Sequence, residues 1–461
     1  MKKDIIGPWN FYREALAIAL PVMAQQFIMG MVSLIDNFMV AGLGDTSMAA
    51  VNVSNQLNFI CLVLINTVCA AGGIYLAQFN GAKNPEGMKQ ALRFKMIFAV
   101  LIALLYIAFA WILPGPMISI MTQGNASQAD ILPIGIEYLK LVSITFFFQA
   151  ISTAIGTSFR EIGKPSIPLI ISAIATLVNT AGNYLLIYGN FGAPRLEVAG
   201  AAIATIIARV FEVACFIIYM YKTKPDFFVR LRDMLFIKIK LAKEILSRSA
   251  MMFVSEISWV SSETIVTALY NSRGGAEVVA GMASGWTIAN IFFLIFGGIF
   301  TASTVIIGGT LGAGKLEEAR KKAKWITSGS VISGTIVALF GALLSVVAIP
   351  LVFSNLTVEA RSITTMLVVV ILLYMPCWSW LNSQFAISRA GGDTAMGMIV
   401  DLSVNTLLFI PLAFILTFLT GMGPVEMFAI LKLTDFVKMF ICYKLMKKEK
   451  WVKNLVGGSI V

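Results

Sequence analysis

The sequence predicts an all-α polytopic membrane protein, with twelve transmembrane helices in two pseudo-symmetric six-helix bundles around a central cleft. Three observations carry this. Apolar residues make up 58% of the 461 and charged residues only 13%, with a mean hydropathy of +0.85; soluble domains run near 45–50% apolar and about 25% charged. Apolar runs recur along the whole chain, each long enough to give the roughly 20 helical residues that cross a bilayer core. The second half also echoes the first at a nearly constant offset: Gly81-Ala82 with Glu86 recurs as Gly312-Ala313 with Glu317, 231 residues on.

In chain order, the first span is expected over 14–41, with Pro21 its natural kink and Asp36 in its outer part. Spans 53–79 and 95–120 follow, separated by the basic loop Lys83 to Arg93. The fourth, 134–158, carries Phe147 and Gln149 and stops before Arg160; the fifth, 166–189, starts after Pro165 and carries Asn179 and Asn183. The sixth, 198–221, holds Thr205 and the pair Arg209 and Glu212. These six make a first bundle, 1–221. A basic linker, 222–247, comes next, and its Phe227, Phe228, Leu231 and Leu235, running on to Ile239, suggest an amphipathic interfacial helix. The second bundle with a short cytoplasmic tail, 248–461, has spans at 248–271 (Glu256, Glu263), 280–311 (Met282), 326–352, 362–388 (Trp378, Gln384), 395–419 (Asp401) and 424–446 (Lys432, Asp435).

Charge sets the orientation. The termini and the loops after even-numbered spans hold 28 Lys and Arg, among them Lys2 and Lys3, whereas the opposite side has only Arg195, Arg273 and Arg361. By the positive-inside rule both termini are cytoplasmic, and the net charge of +11 needs no nucleic-acid partner. Two halves that both start inside are parallel repeats, with a site expected between them. Further anchors keep the order: Phe159-Arg160 and Gly163-Lys164-Pro165 recur as Ser388-Arg389 and Gly392-Asp393-Thr394, and Arg209-x-x-Glu212 as Lys432-x-x-Asp435.

There is no histidine, so Ser-His and Cys-His catalysis and His-ligated metals are excluded. The five cysteines lie in apolar stretches and imply no disulfide framework. The N-terminus does not read as a cleavable signal, and no cofactor is implied.

Ionisable groups inside spans are costly and mark function by default. Asp36 lies roughly 8 Å, Asn183 roughly 9 Å, Asn179 roughly 15 Å and Thr205 roughly 10 Å from the outer ends of their spans, at about 1.5 Å per residue. Asn179 and Asn183, four apart, share a face. One carboxylate among neutral oxygens suits a proton or a hard monovalent cation such as Na⁺, held by Asp36, Asn179 and Asn183; a helix-packing polar cluster is the alternative. In the second half Glu256 and Asp401 lie at similar depth from the inner face and form a second candidate coupling site, with pairing to a neighbouring cation the alternative. The two i,i+3 pairs, Arg209 with Glu212 and Lys432 with Asp435, read as self-neutralising. For a substrate cleft, spans 4 and 10 occupy equivalent places, and Phe147, Gln149, Trp378 and Gln384, with the adaptable Met282, offer aromatic and polar lining for organic cations.

The stretch Leu34-Ile-Asp36-Asn-Phe-Met-Val-Ala-Gly-Leu-Gly44, the loop Arg160 to Pro165, Asn179 with Asn183 to Gly189, Gly200 to Thr205, and Arg389 to Thr394 with Asp401, in this order, resemble the multidrug and toxic compound extrusion (MATE) family over essentially the whole chain. The resemblance implies a plasma-membrane exporter of organic cations and drugs, driven by H⁺ or Na⁺ and working as a monomer. It implies that Asp36 is the family's acidic residue on span 1 and Glu256 that of span 7. An Asp that some members carry on span 10 is Trp378 here, which leaves the coupling ion open. The competing reading is a flippase for lipid-linked sugars, which should line its cavity with several free cations. A membrane enzyme and a non-transporting scaffold fit less well.

Overall fold

The computed structural model describes residues 5–123 and 127–457; Lys2 and Lys3, counted above, lie outside them. The described residues contain helices and no strands. Ten helices, two of them continuing across a wide turn and one across a helix junction, are long and apolar enough to cross a membrane. The other two of the expected twelve are those bearing Glu256 and Glu263 (Ile239–Asn271) and Lys432 and Asp435 (Pro424–Met446).

In order, α1 (Trp9–Ala41), α2 (Asp45–Gly81) and α3 (Pro85–Ile112) open the chain. The expected third span, 95–120, is not one helix: Pro114 and Pro116 stop α3, and a separate short helix α4 (Pro114–Met121) follows because proline supplies no N–H to carry the ladder on. The fourth span is built from α5 (Gln128–Ser143) and α6 (Thr145–Glu161), and α7 (Ser166–Tyr188) and α8 (Glu197–Thr223) complete the half. After α9 (Ile239–Asn271), α10 (Ala276–Ser303) runs through a wide π turn into α11 (Gly309–Gly312), followed by α12 (Leu316–Val352) and α13 (Val358–Ala390). A second wide turn, Asn405–Phe409, joins α14 (Ala395–Val404) to α15 (Ile410–Leu419). It lies just before Pro411, whose ring crowds the carbonyl one turn back. The last span is α16 (Pro424–Lys432) and α17 (Thr434–Met446).

The chain divides into two compact units: residues Ala24–Leu246, and Met1–Met23 together with Ser247–Gly458. α1 thus contributes its start to the second unit, where Phe11 meets the Trp325 ring at 5.2 Å and the Tyr12 hydroxyl lies 3.1 Å from Ser328.

The amphipathic helix expected in the linker is absent. Between α8 and α9 only a three-residue 3₁₀ turn forms, at Leu231–Asp233, the linker's residues from Ile239 on belong to α9, and the intervening segment is tied to α3 instead. Arg93 donates to the Asp233 carbonyl (3.0 Å), Gln90 to that of Phe236 (3.2 Å), and the Lys238 N–H donates to Gln90 Oε1 (2.9 Å). Phe227 is fully buried against Phe159, which an interfacial helix would not permit.

Equivalent spans close equivalently. Gly163 and Gly392, 229 residues apart, follow α6 and α13 with φ of 76° and 80°, the left-handed region that favours glycine. Beside them Lys164 N–H reaches the Phe159 carbonyl and Asp393 N–H that of Ser388, a pattern that satisfies orphan carbonyls at a helix end.

Candidate functional site

The first unit encloses a cavity of about 460 Å³ lined by Asp36, Asn179, Asn183 and Thr205, so the four residues expected to converge do so. α7 and α8 pack at small residues, Gly182 against Ala204 and Gly200 against the Leu186 backbone. That close approach brings Asn179 within 3.2 Å of Thr205 Oγ1. Asn183 Nδ2 donates to Asp36 Oδ1 at 2.6 Å. Asn179, its amide turned so that nitrogen faces the carboxylate and oxygen accepts from Thr205, donates to Asp36 Oδ2 at 3.0 Å; the opposite orientation would set two acceptors face to face. Asn183 Oδ1 is buried without a hydrogen-bond partner among the described residues, an oxygen left over beside the carboxylate. No group of three or more Asp, Glu, Cys or His residues that could hold a metal exists among the described residues, so one carboxylate with neutral oxygens suits a monovalent ion or a proton rather than a divalent one.

Arg209 lines the same cavity and bonds Glu212 at 2.7 Å, as its spacing suggests. Glu212 also accepts from Ser172 (2.7 Å), Ser172 from Gln25 (2.8 Å), and Gln25 Oε1 from Arg160 (2.6 Å). A continuous polar chain therefore runs from Arg160, in the last turn of α6, to the cavity.

The second unit contains a partly open cavity of about 560 Å³. Glu256 and Asp401 both line it, but each has its own cation: Arg389 lies 3.0 Å from Glu256, and Lys438 3.3 Å from Asp401, which is the pairing alternative. Ser255 adds a hydrogen bond to Asp401. The i,i+3 pairing expected for Lys432 and Asp435 does not form. Lys432 bonds Glu263 at 2.6 Å, and Asp435 accepts from Trp378 Nε1 at 2.8 Å. The tertiary partner wins because Glu263 offers a charge across the cavity, whereas Asp435 is held by the Trp378 indole.

The proposed substrate-lining residues are not brought to one place. Gln149 lines the first cavity and Trp378 the second. Phe147 is half-buried with its ring against Phe148. Gln384 is buried and donates to Thr327 at 2.9 Å, and Met282 is a core residue, 3% exposed among Leu367, Ile363 and Phe428; neither lines either of these two cavities. The sequence reading missed Lys438 and the role of Glu263. The available signal was that Lys140, Arg209, Lys432 and Lys438 are the only Lys or Arg within expected spans besides the border Lys95, Arg248 and Lys444. It also missed the buried pair Lys95 and Glu161, 2.7 Å apart, which fits only because Gly72 and Gly73 offer no Cβ at that contact.

A family model, MatE, matches residues 21–185 and again 252–415. The two matches begin 231 and end 230 residues apart, the offset of the internal repeat. Among curated relatives, the uncharacterized transporter YisQ of Bacillus subtilis is 22% identical over 91% of this chain and 90% of its own length. A probable multidrug resistance protein NorM of Thermotoga maritima is 26% identical over 71% and 70%. Among solved structures, a Vibrio cholerae MATE transporter superposes with a TM-score of 0.83, at 16% identity, over 96% of this chain and 98% of that one.

Proposed function

The chain belongs to the MatE family of transporters, and from that premise we propose that it is a cation-coupled antiporter that exports amphipathic organic cations and drugs across the plasma membrane by alternating access. Asp36 is its coupling carboxylate, with Asn179, Asn183 and Thr205 as its polar surround, and H⁺ or Na⁺ is the coupling ion. The observation that carries this reading is the enclosure of one carboxylate by neutral amides and a hydroxyl, with the Asn183 oxygen to spare. A group that changes charge or trades an amide contact for an ion there changes the cavity's net charge by one, which is what coupling requires. Both termini are cytoplasmic, by the Lys and Arg asymmetry, and one copy suffices for transport. Glu256 and Asp401 make a second ion-responsive group.

The flippase reading is disfavoured by a specific feature. Each cation lining the two cavities is bridged to a carboxylate: Arg209 to Glu212, Arg389 to Glu256, Lys432 to Glu263 and Lys438 to Asp401. None is left over for a phosphate. The deciding measurement is dye export from proteoliposomes with proton and sodium gradients imposed separately. Export driven by either gradient in the wild type, and by neither in Asp36→Asn, is the expected outcome. Gradient-driven export by correctly inserted Asp36→Asn would remove Asp36 from the coupling role.

A further inference from the structure

The second cavity is lined by four carboxylates, Glu256, Glu263, Asp401 and Asp435, and three cations, Arg389, Lys432 and Lys438. The three ion pairs consume one carboxylate each. The remainder is Asp435, 8% exposed, whose one hydrogen bond comes from the Trp378 indole and which has no cation within 4 Å among the described residues. Lys432 acts on Asp435 only from beyond ion-pair distance while it bonds Glu263, so the four carboxylates of the cavity are one positive charge short.

Its surroundings say what kind of charge. Trp378 stacks on Tyr374 (5.7 Å between centroids) and meets Phe293 edge-on (5.8 Å), and Trp286 continues the wall beside Phe293 (6.2 Å). Aromatic faces cannot replace the hydration shell of a small hard ion, but they attract diffuse organic cations. The volume, about 560 Å³, falls in the range of pockets that hold a drug-sized ligand. Adjoining rings already hold an ammonium: Lys432 Nζ lies 4.9 Å from the Phe409 ring centre, 5.3 Å from that of Phe428 and 5.9 Å from that of Trp378 while it bonds Glu263.

We propose that the second cavity is a binding site for a monovalent, flat organic cation, anchored by Asp435 against Trp378, and that Lys432 is a tethered competitor occupying the adjoining aromatic cage. Two carboxylates, Glu263 and Asp435, share one resident ammonium, so the pair of sites has room for one further positive charge. Lys432 sets the affinity: its charge opposes the ligand, and its hold on Glu263 keeps that carboxylate from acting as a second anchor. The proposal rests on the reading of the chain as an organic-cation exporter but not on its ion coupling.

The test is equilibrium binding of ethidium to the purified full-length protein in nanodiscs, with no ion gradient. Asp435→Asn is expected to weaken binding by about tenfold or more, the usual consequence of removing a desolvated charge contact, and Asp435→Glu to retain most of it. Lys432→Met is expected to tighten binding severalfold, and Lys432→Met with Glu263→Gln, which restores the net charge, to return it near the wild-type value. Wild-type affinity in monodisperse Asp435→Asn, or weakened binding in Lys432→Met, overturns the proposal. Should Asp435→Asn fail to fold, the wild type decides: ethidium must protect Asp435 from a hydrophobic carbodiimide, read by mass spectrometry, and unprotected labelling at saturation overturns the proposal. Because binding is measured without a gradient, loss of affinity in Asp435→Asn stands even if gradient-driven export is not found, and coupled export stands even if this site fails.

Discussion

The two halves make the same contact with different chemistry. Arg160, at the end of α6, bonds Gln25 Oε1 at 2.6 Å; Arg389, at the end of α13, bonds Glu256 Oε1 at 3.0 Å. The repeat offset carries Gln25 to Glu256 and Arg160 to Arg389, so a neutral amide contact in one half is an ion pair in the other. The difference spreads outward. Ser172 corresponds to Asp401, and each is joined to the following span: Ser172 to Glu212, Asp401 to Lys438. In the other direction, Asp36 corresponds to Thr267, Asn179 to Leu408, Asn183 to Leu412 and Thr205 to Phe428. One fold therefore hosts an outer polar cluster in the first half and a charged, aromatic cavity in the second. The repeated backbone fixes where side chains meet, and the side chains placed there differ between the halves.

That division can be broken by substitution, and the largest effect is expected at the position where the halves differ most. Asp36→Asn should reduce gradient-driven dye export to the background of empty liposomes while the protein remains folded; retention of more than a small fraction of the wild-type rate would mean that the outer cluster is only packing. Next comes the buried pair Lys95 and Glu161, whose counterparts in the second half are Ile326 and Ala390, both in an apolar core. Glu161→Ala strands a fully buried ammonium and should cost about 3–5 kcal/mol, read as lost expression or a lowered melting temperature in detergent. Adding Lys95→Ile, which copies the second half, should recover most of it; no recovery would show that the pair does more than neutralise itself.

Smaller effects sharpen the comparison. Glu256→Gln gives the second half the first half's neutral contact and should slow export without unfolding the protein. With Asp401→Asn in the same cavity, the pair should deviate from additivity by about 0.5–3 kcal/mol in a double-mutant cycle of transport rates; strict additivity would separate the two carboxylates. The smallest effect is expected from Trp378→Phe, which keeps an aromatic face but deletes the hydrogen bond to Asp435, worth about 1.5–3 kcal/mol for a charged acceptor at most. Ethidium affinity should fall less than for Asp435→Asn, and an equal fall would make the indole N–H, rather than the carboxylate, the decisive group.

Hydropathy made the helices and the depth of each polar residue legible, because transfer from water to lipid depends on how far along a span a group lies. That was enough to gather Asp36, Asn179, Asn183 and Thr205, since two of them share a helix face. It was not enough for Lys432. Depth is one coordinate, and the direction in which a side chain leaves its helix is another; the nearest acid in sequence, Asp435, lost to Glu263 on a different helix. Met282 and Gln384 were misplaced for the same reason, being at a suitable depth but turned into the packing. The break at Pro114 and the wide turn before Pro411 had visible causes in proline, while the linker's apolar residues suggested a helix because their spacing alone does not reveal that Phe227 has a socket beside Phe159.

The start of α1 has a consequence for how the protein is made. Tyr12 finds Ser328 and Phe11 finds Trp325, partners more than 300 residues later in the chain. At synthesis rates of about 5–20 residues per second, the ribosome needs tens of seconds after the first helix emerges before those partners exist. During that interval the outer part of α1 can already join its neighbours from the first half, while its leading turns wait in the membrane for α12.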